Sequence, residues 1–181
     1  MGKKKETSKE KVYTFIDSQN LNLGVKSQGW KLDWRKFRQY LRNKYNVSKA
    51  YLFIGQVAGN ESLYTFLQES GYVLIFKPTL ERLDHGKSKV KGNVDAELVL
   101  HAMIQYKNYH RAIIISGDGD FYCLSEYLDK KGKLLKILVP TRRYSALLRK
   151  FNEKNYLVRI DLLRNSLEYK KTSGIRGRSK P

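Results

Sequence analysis

The sequence predicts an α/β fold in which helices cover both faces of a mainly parallel sheet. Short apolar runs alternate with amphipathic segments along the chain. These runs are apolar almost throughout, as in strands that are buried on both faces. At 181 residues, 41% of them hydrophobic, the chain is long enough to form one domain with a substantial core. Together these features favour a single three-layer α/β/α domain.

The first half of the chain supplies three strands and two helices. Asp33 is a candidate N-cap for the first helix, whose apolar residues recur at helical spacing. Asn60 and Gly71 are the candidate cap and stop of the second helix, and Pro78 ends the third strand. The predicted elements are a strand at 12–16, a helix at 32–45, a strand at 50–55, a helix at 60–72 and a strand at 72–78.

The second half continues the alternation. Gly132 ends a helix and precedes the strand LLKILVP. The predicted elements are a helix at 93–107, a strand at 112–115, a helix at 119–131, a strand at 134–140, a short helix at 144–151 and a final strand at 156–160. The domain is therefore expected to span residues 12–169, between a basic extension at 1–11 and a basic, disordered tail at 170–181.

The chain is strongly basic, with 36 Lys and Arg against 17 Asp and Glu and a net charge of +19. Residues 1–11 carry a net charge of +3 and residues 170–181 carry +5, which leaves +11 on the body. The excess charge is therefore not confined to the ends. A polyanionic partner is expected, because neutralising phosphates releases counterions. Nucleic acid is favoured over a merely solubilising surface by the added aromatic content.

Several classes of protein are disfavoured by composition. No apolar run approaches the ~20 residues that span a bilayer, and the first residues form no secretory signal. A single cysteine, Cys123, excludes an internal disulfide and a cysteine-rich zinc site. Three scattered histidines make a histidine metal site improbable. The sequence therefore predicts a cytoplasmic protein that does not interact with membranes.

Acidic residues follow two of the predicted strands. Asp17 comes directly after VYTFI, and Asp118 and Asp120 come after AIIIS. Because ligands bind at the carboxyl ends of parallel strands, these residues are expected to share one edge of the sheet. Asp95 lies in the first turn of a predicted helix and is expected to lean inward over that sheet. Crowded carboxylates repel one another, and a hard divalent cation such as Mg²⁺ or Mn²⁺ would resolve the conflict.

Each of these aspartates could instead cap a helix. Asp17 could cap a turn that begins at Ser18, and Asp118 or Asp120 could cap the helix at 119–131. Acids from three separate segments at one sheet edge are harder to explain by capping alone. The joint pattern therefore favours a metal site.

Three motifs, FIDSQNL, KGNVDAELVLHAM and SGDGDF, resemble in order those of the NYN domain family. More narrowly, they resemble its LabA-like (DUF88) branch within the PIN-like nuclease superfamily. The resemblance extends through KLDWRKFRQYL, AYLFIG and ESGYVLIFKP and covers about residues 12 to 160. It implies a PIN-like α/β/α sandwich and metal-dependent hydrolysis of RNA.

By motif, the resemblance implies a site of four acids with two polar neighbours: Asp17, Asp95, Asp118, Asp120, Asn20 and Ser116. Position 101 departs from the pattern, because many relatives carry an aspartate where this chain has His101. Asp17 and Asp118 are expected to be direct ligands of the metal. Asp95 and Asp120 would bind a second ion or orient the attacking water.

Two basic segments are candidates for holding RNA, most naturally single-stranded. Lys87, Lys89 and Lys91 lie in HGKSKVKG, interpreted as a glycine-flanked loop just before Asp95. This loop could equally be an ordinary solvated surface. Arg142 and Arg143 follow the strand LLKILVP and are expected at the same edge as the acids.

Two other functions remain open at this point. A nucleic-acid-binding or regulatory module with a weak or inactive site would share the charge and the fold, and His101 favours it. A phosphatase with an aspartate nucleophile is disfavoured, since such enzymes need an aspartate two residues after the first and this chain has Gln19. The sequence leaves open the oligomeric state, a homodimer included, as well as the RNA preference and the number of ions.

Overall fold

A parallel sheet of six strands forms the centre of the molecule. The computed structural model describes residues 10–77, 80–84, 87–91 and 95–170. The strands are β1 (Val12–Asp17), β2 (Val47–Gly55), β3 (Tyr72–Lys77), β6 (Arg111–Ile115), β7 (Leu134–Val139) and β8 (Leu157–Arg159). Their order in the sheet is β3-β2-β1-β6-β7-β8. The predicted parallel α/β architecture is therefore confirmed.

Seven α-helices accompany the sheet within these described ranges. They are α1 (Ser18–Lys26), α2 (Trp34–Tyr45), α3 (Glu61–Glu69), α4 (Asp95–Ile104), α5 (Tyr122–Lys130), α6 (Lys150–Glu153) and α7 (Arg164–Leu167). Short 3-10 helices occupy Gly119–Phe121, Ala146–Leu148 and Asp161–Leu163. No helix in the described ranges combines the length and apolar character needed to cross a bilayer.

Strand alternation divides the core into two layers, one on each face of the sheet. Val12 and Ile16 of β1 pack with residues of α1, α2 and α7 on one face. Tyr13 and Phe15 of the same strand pack with residues of α4, α5 and α6 on the other face. Because successive side chains of a strand point to opposite faces, each strand contributes to both layers. The result is the expected three-layer sandwich.

The segment after β3 differs from its prediction. Residues interpreted as a loop form an antiparallel hairpin of β4 (Leu80–Asp84) and β5 (Lys87–Lys91). Asp84 pairs with Lys87 at its tip, and Leu80 pairs with Lys91 at its base. The interpretation of Lys87, Lys89 and Lys91 as loop residues was therefore wrong, since all three belong to a strand.

Helix α1 was not predicted. Its apolar residues Leu21, Leu23 and Val25 recur every second position, which is not the helical period, and Leu23 is exposed. The predicted extension at 1–11 and tail at 170–181 lie almost entirely outside the described residues.

Candidate active site

The sheet has a switch point between β1 and β6. The chain leaves β1 toward β2 on one side and later returns to β6 on the other side, and the two strands pair in register at Ile16 and Ile115. Open parallel sheets bind ligands in the crevice at such a point, beyond the carboxyl ends of the strands. Asp17 is the last residue of β1, and Ser116 is the first residue after β6. Both therefore lie at the mouth of this crevice.

Asp17 is a buried carboxylate with a defined orientation. Only 5% of the residue is exposed. It is the N-cap of α1, where its Oδ1 accepts a hydrogen bond from the Asn20 amide at 3.0 Å. Its Oδ2 accepts a hydrogen bond from the Ser116 hydroxyl at 3.3 Å. Capping, the alternative explanation of this residue, is therefore correct, and it fixes the carboxylate beside the end of β6.

Burial raises the pKa of the Asp17 carboxyl above its ordinary value of 3.8. The hydrogen bonds from Asn20 and Ser116 oppose this rise in pKa, and the charge of Asp118 adds to it. The ionised form of Asp17 is therefore costly, because it is desolvated and faces a second negative charge. A nearby cation would favour that ionised form.

The loop after β6 is tied to α1 by polar contacts. The Gly117 amide donates to Asn20 Oδ1 at 2.9 Å, and the Asp118 amide donates to Ser116 Oγ at 3.2 Å. Asp118 in turn caps the 3-10 helix Gly119–Phe121, accepting from the Asp120 amide at 3.2 Å. Asp17, Asn20, Ser116 and Asp118 thus form one connected network, whereas Asp118 and Asp120 themselves are exposed.

Asp95 begins α4, which packs against β1 and against the 3-10 helix of the same loop. The alternation of β1 and β6 directs Asp17 and Ser116 toward the face that α4 covers. Asp95 is half-buried in that same layer. Within the described part of the chain, however, no three His, Cys, Asp or Glu side chains form a group that could hold a metal ion.

The substituted position in α4 is occupied by a packed histidine. The His101 ring is partly buried and meets the Phe53 ring of β2 edge-on, with the centroids 5.6 Å apart. Glu97 of the same helix forms an ion pair with Lys77 at the end of β3, at 3.4 Å. Glu97 is therefore directed toward β3, which lies on the far side of β2 from Asp17.

The segment after β7, residues 140–147, packs against the loop after β6, a contact that was not predicted. The Ser145 amide donates to the Gly117 carbonyl at 2.9 Å. A Cβ on Gly119 would lie 2.5 Å from Ser145 Oγ, and a Cβ on Gly117 would lie 3.4 Å from Pro140. A side chain on Gly119 would therefore displace Ser145, whereas one on Gly117 would require its neighbours to shift by only a few tenths of an ångström.

Arg142 and Arg143 also belong to the segment after β7 and are exposed. The Arg143 amide donates to Thr141 Oγ1 at 3.1 Å, which fixes the backbone of the turn. Their predicted position at the carboxyl edge of the sheet agrees with the structure. The side chains of Lys87, Lys89 and Lys91 lie outside what the structure describes.

Comparisons with known proteins give a consistent result. The model of the NYN domain matches residues 11–157. The protein described as "Low amplitude and bright protein LabA" from Synechococcus elongatus is 27% identical over 124 residues, which cover 65% of this chain and 67% of that protein. A crystal structure of a protein of unknown function from Vibrio parahaemolyticus superposes with a TM-score of 0.73. It is 22% identical and covers 92% of this chain and 100% of that one, which supports the fold alone.

Proposed function

The chain belongs to the NYN domain family, LabA-like and nuclease-type, and we propose that it is a metal-dependent ribonuclease that hydrolyses RNA phosphodiester bonds with Mg²⁺ or Mn²⁺. One observation carries the proposal. At the switch point of the sheet, the Ser116 hydroxyl donates a hydrogen bond to the buried Asp17 carboxylate and accepts one from the backbone amide of Asp118, whose side chain is exposed. An unfavourable buried carboxylate beside a second acid is typical of a functional site.

The donor set fits a hard divalent cation. Asp17 and Asp118 offer carboxylate oxygens, the ligand type that Mg²⁺ and Mn²⁺ prefer. Mg²⁺ is usually held by only one or two carboxylates together with water and substrate phosphate, so a group of three protein acids is not required. Bound here, the cation would polarise the scissile phosphate and lower the pKa of the attacking water.

The residues of the chain have distinct roles in this proposal. Asn20 and Ser116 hold Asp17 in one orientation through their hydrogen bonds. Asp17 and Asp118 are the proposed ligands. Asp120, which is exposed, and Asp95, at the start of α4, would bind a second ion or orient the water. As the water oxygen attacks phosphorus, its proton passes to one of these carboxylates, the bridging P–O bond breaks, and the departing oxygen leaves as a hydroxyl after taking a proton from solvent.

In this proposal, the basic surface around the acidic crevice binds the RNA. Arg142 and Arg143 are exposed at the same edge and are suited to contact the phosphates. Further contacts with RNA are assigned to Lys87, Lys89 and Lys91 of β5, a strand that ends four residues before Asp95. Chelating the metal should therefore remove cleavage but change the dissociation constant for RNA by less than about tenfold, or ~1.4 kcal/mol.

A second candidate is an RNA-binding or regulatory module with a weak or inactive site. Two observations favour it: His101 packs against Phe53, and the described residues contain no cluster of three potential metal ligands. This module would bind RNA with the same dependence on salt but would not cut it under any divalent ion.

One experiment separates the two candidates. Labelled single-stranded RNA is incubated with the protein in Mg²⁺, in Mn²⁺ or in EDTA, and the products are resolved on a gel while binding is followed by anisotropy. The proposed enzyme cleaves only with metal, and Asp118→Asn abolishes cleavage without loss of RNA binding. Wild-type protein that binds RNA but never cuts it would establish the second candidate instead.

A further inference from the structure

A groove of about 280 Å³ lies at the opposite edge of the sheet from the acidic crevice. Gly71, in its wall, immediately precedes β3, and Arg38 contacts the first residue of β2. The groove therefore lies at the amino ends of these strands. Since β3 has six residues, the two edges are separated by about 20 Å. We call this the arginine groove; its lining residues are Arg35, Arg38, Gln39, Arg42, Ser70 and Gly71.

Arg38 brings a fixed positive charge into the arginine groove. Its guanidinium donates to three backbone carbonyls, those of Gly71 at 2.9 Å, Val47 at 3.3 Å and Ser48 at 3.4 Å. Among the described residues no carboxylate forms an ion pair with it. Burial lowers the pKa of the Arg38 guanidinium below its ordinary value, and the charge of Arg42 contributes to the decrease. The chain thus fixes this guanidinium in place without neutralising it.

Arg35 and Arg42 lie three residues before and four residues after Arg38, so they share its face of α2. The Arg35 guanidinium lies over the Phe66 ring, 4.8 Å from its centroid, which limits its orientations. In the described part of the chain, neither Arg35 nor Arg42 donates a side-chain hydrogen bond or pairs with an acid. Three like charges on one helix face are unfavourable unless an anion joins them.

Other arginines of the same chain show that this arrangement is not general. Arg159 forms two hydrogen bonds with Asp161, at 3.1 and 2.7 Å. Arg164 forms two with Glu168, at 3.3 and 2.9 Å. Each of these guanidinium groups has a carboxylate of its own, whereas the arginine groove has three guanidinium groups and no described acid.

We infer that the arginine groove binds phosphate groups of the RNA backbone. Arginine is suited to phosphate because its planar group donates two parallel hydrogen bonds to the oxyanion. The identity of the ligand as RNA rests on the proposed function, whereas the attraction for phosphate rests on the groove alone. A long RNA held here and at the crevice contacts both edges of the domain, which raises its affinity above that of either site.

The test uses the double variant Arg35→Ala/Arg42→Ala and leaves Arg38 in place because its hydrogen bonds connect α2 to β2 and β3. Binding of a labelled single-stranded RNA of about 30 nucleotides, longer than a typical single binding site, is measured in EDTA over a range of salt concentrations. We expect about tenfold weaker binding and a salt slope reduced by ~1.4, because each phosphate that the variant no longer neutralises lowers the slope by ~0.7.

A matched control removes the same two charges elsewhere. Lys107→Ala/Lys131→Ala alters exposed residues after α4 and α5, in the other helical layer. This control should bind RNA within about twofold of the wild type, since it loses only general attraction. Thermal melting of both variants shows that each remains folded.

The outcomes separate this inference from the proposed function. If RNA binding is weakened equally in the two double variants, or in neither, the arginine groove is not a binding site, even if the wild type cleaves RNA. Selective weakening in Arg35→Ala/Arg42→Ala supports the groove even if the wild type cleaves nothing, because the measurement in EDTA does not depend on catalysis.

Discussion

Helices α1 and α2 lie in the same layer and both begin at an aspartate that accepts a hydrogen bond from the amide three residues later. Asp17 accepts from Asn20 at 3.0 Å, and Asp33 accepts from Lys36 at 3.1 Å. Their surroundings differ. Asp33 is half-buried with the Lys36 ammonium 3.7 Å away, whereas Asp17 is buried, and the nearby charge that affects its pKa is that of another acid.

This difference shows that a helix cap by itself does not indicate function. The local hydrogen bond is the same at both helix starts and stabilises each by about 1 kcal/mol. The charge of Asp33 is partly balanced by a neighbouring cation, whereas no cation among the described residues forms an ion pair with Asp17. The proposed site therefore depends on the burial and the neighbours of Asp17 and not on its role as a cap.

The largest expected effect is on cleavage of RNA. Asp17→Asn and Asp33→Asn each remove one negative charge and keep a residue that caps helices well. We expect Asp17→Asn to lower the rate of cleavage by about a hundredfold or more, the upper range for disturbing a metal site, and Asp33→Asn to leave it unchanged. Initial rates in Mn²⁺ measure both. Equal rates in the two variants would remove the functional distinction between these aspartates.

A smaller effect is expected from the way α1 is packed. A Cβ on Gly24 would lie 2.4 Å from the Pro140 Cβ, so Gly24→Ala forces α1 away from the segment after β7. We expect a loss of about 1–3 kcal/mol from this overpacking, in spite of the better helix propensity of alanine. Urea unfolding measures it. Lys44→Ala, at an exposed position of α2, should change the free energy of unfolding by less than about 0.5 kcal/mol.

The smallest effect concerns stability and pH without metal. The folded-state pKa of Asp17 is raised above 3.8, so its contribution to stability is complete below that pH and is lost as pH rises through the folded pKa. We therefore expect Asp17→Asn to melt at a higher temperature than the wild type at pH 7. The difference in melting temperature between Asp17→Asn and the wild type should disappear when the pH falls below 3.8.

Asp33→Asn is the control for this pH dependence. Because Asp33 is less buried than Asp17 and has the Lys36 ammonium 3.7 Å away, its replacement should not raise the melting temperature at pH 7. If both variants melt at a temperature higher than the wild type by the same amount, the gain in stability comes from the loss of one negative charge and not from the burial of Asp17.

The sequence alone determined the architecture and the edge on which the acids lie. Near-continuous apolar strands alternating with amphipathic helices can be buried only as a parallel sheet covered on both faces, as observed. The order of the chain then brings Asp17 and Asp118 together, because both follow strands that lie side by side. Caps such as Asp33 were also predictable, since they depend on a few consecutive residues.

Other features were missed because the pattern of apolar residues does not reveal them. Helix α1 lacks a helical apolar period and was missed; its Asp17 cap fixes its start, and Gly24 packs closely against Pro140. The hairpin β4–β5 is rich in charged residues, so its pairing was not evident. His101 stands where many relatives carry an aspartate, and only the fold shows that the ring of Phe53 partly covers it.

Tertiary structure alone decided which charges remain unbalanced. Asp17 and Asp33 look alike in sequence, each an aspartate directly before a helix, and Arg38 resembles any other basic residue of α2. Desolvation and the distance to the nearest opposite charge set the cost of each charge, and both depend on segments far apart along the chain. Ser116 lies 99 residues from Asp17, and Gly71 lies 33 residues from Arg38. Folding brings each pair into contact, and only then do an acidic crevice and an arginine groove exist at opposite edges of one sheet.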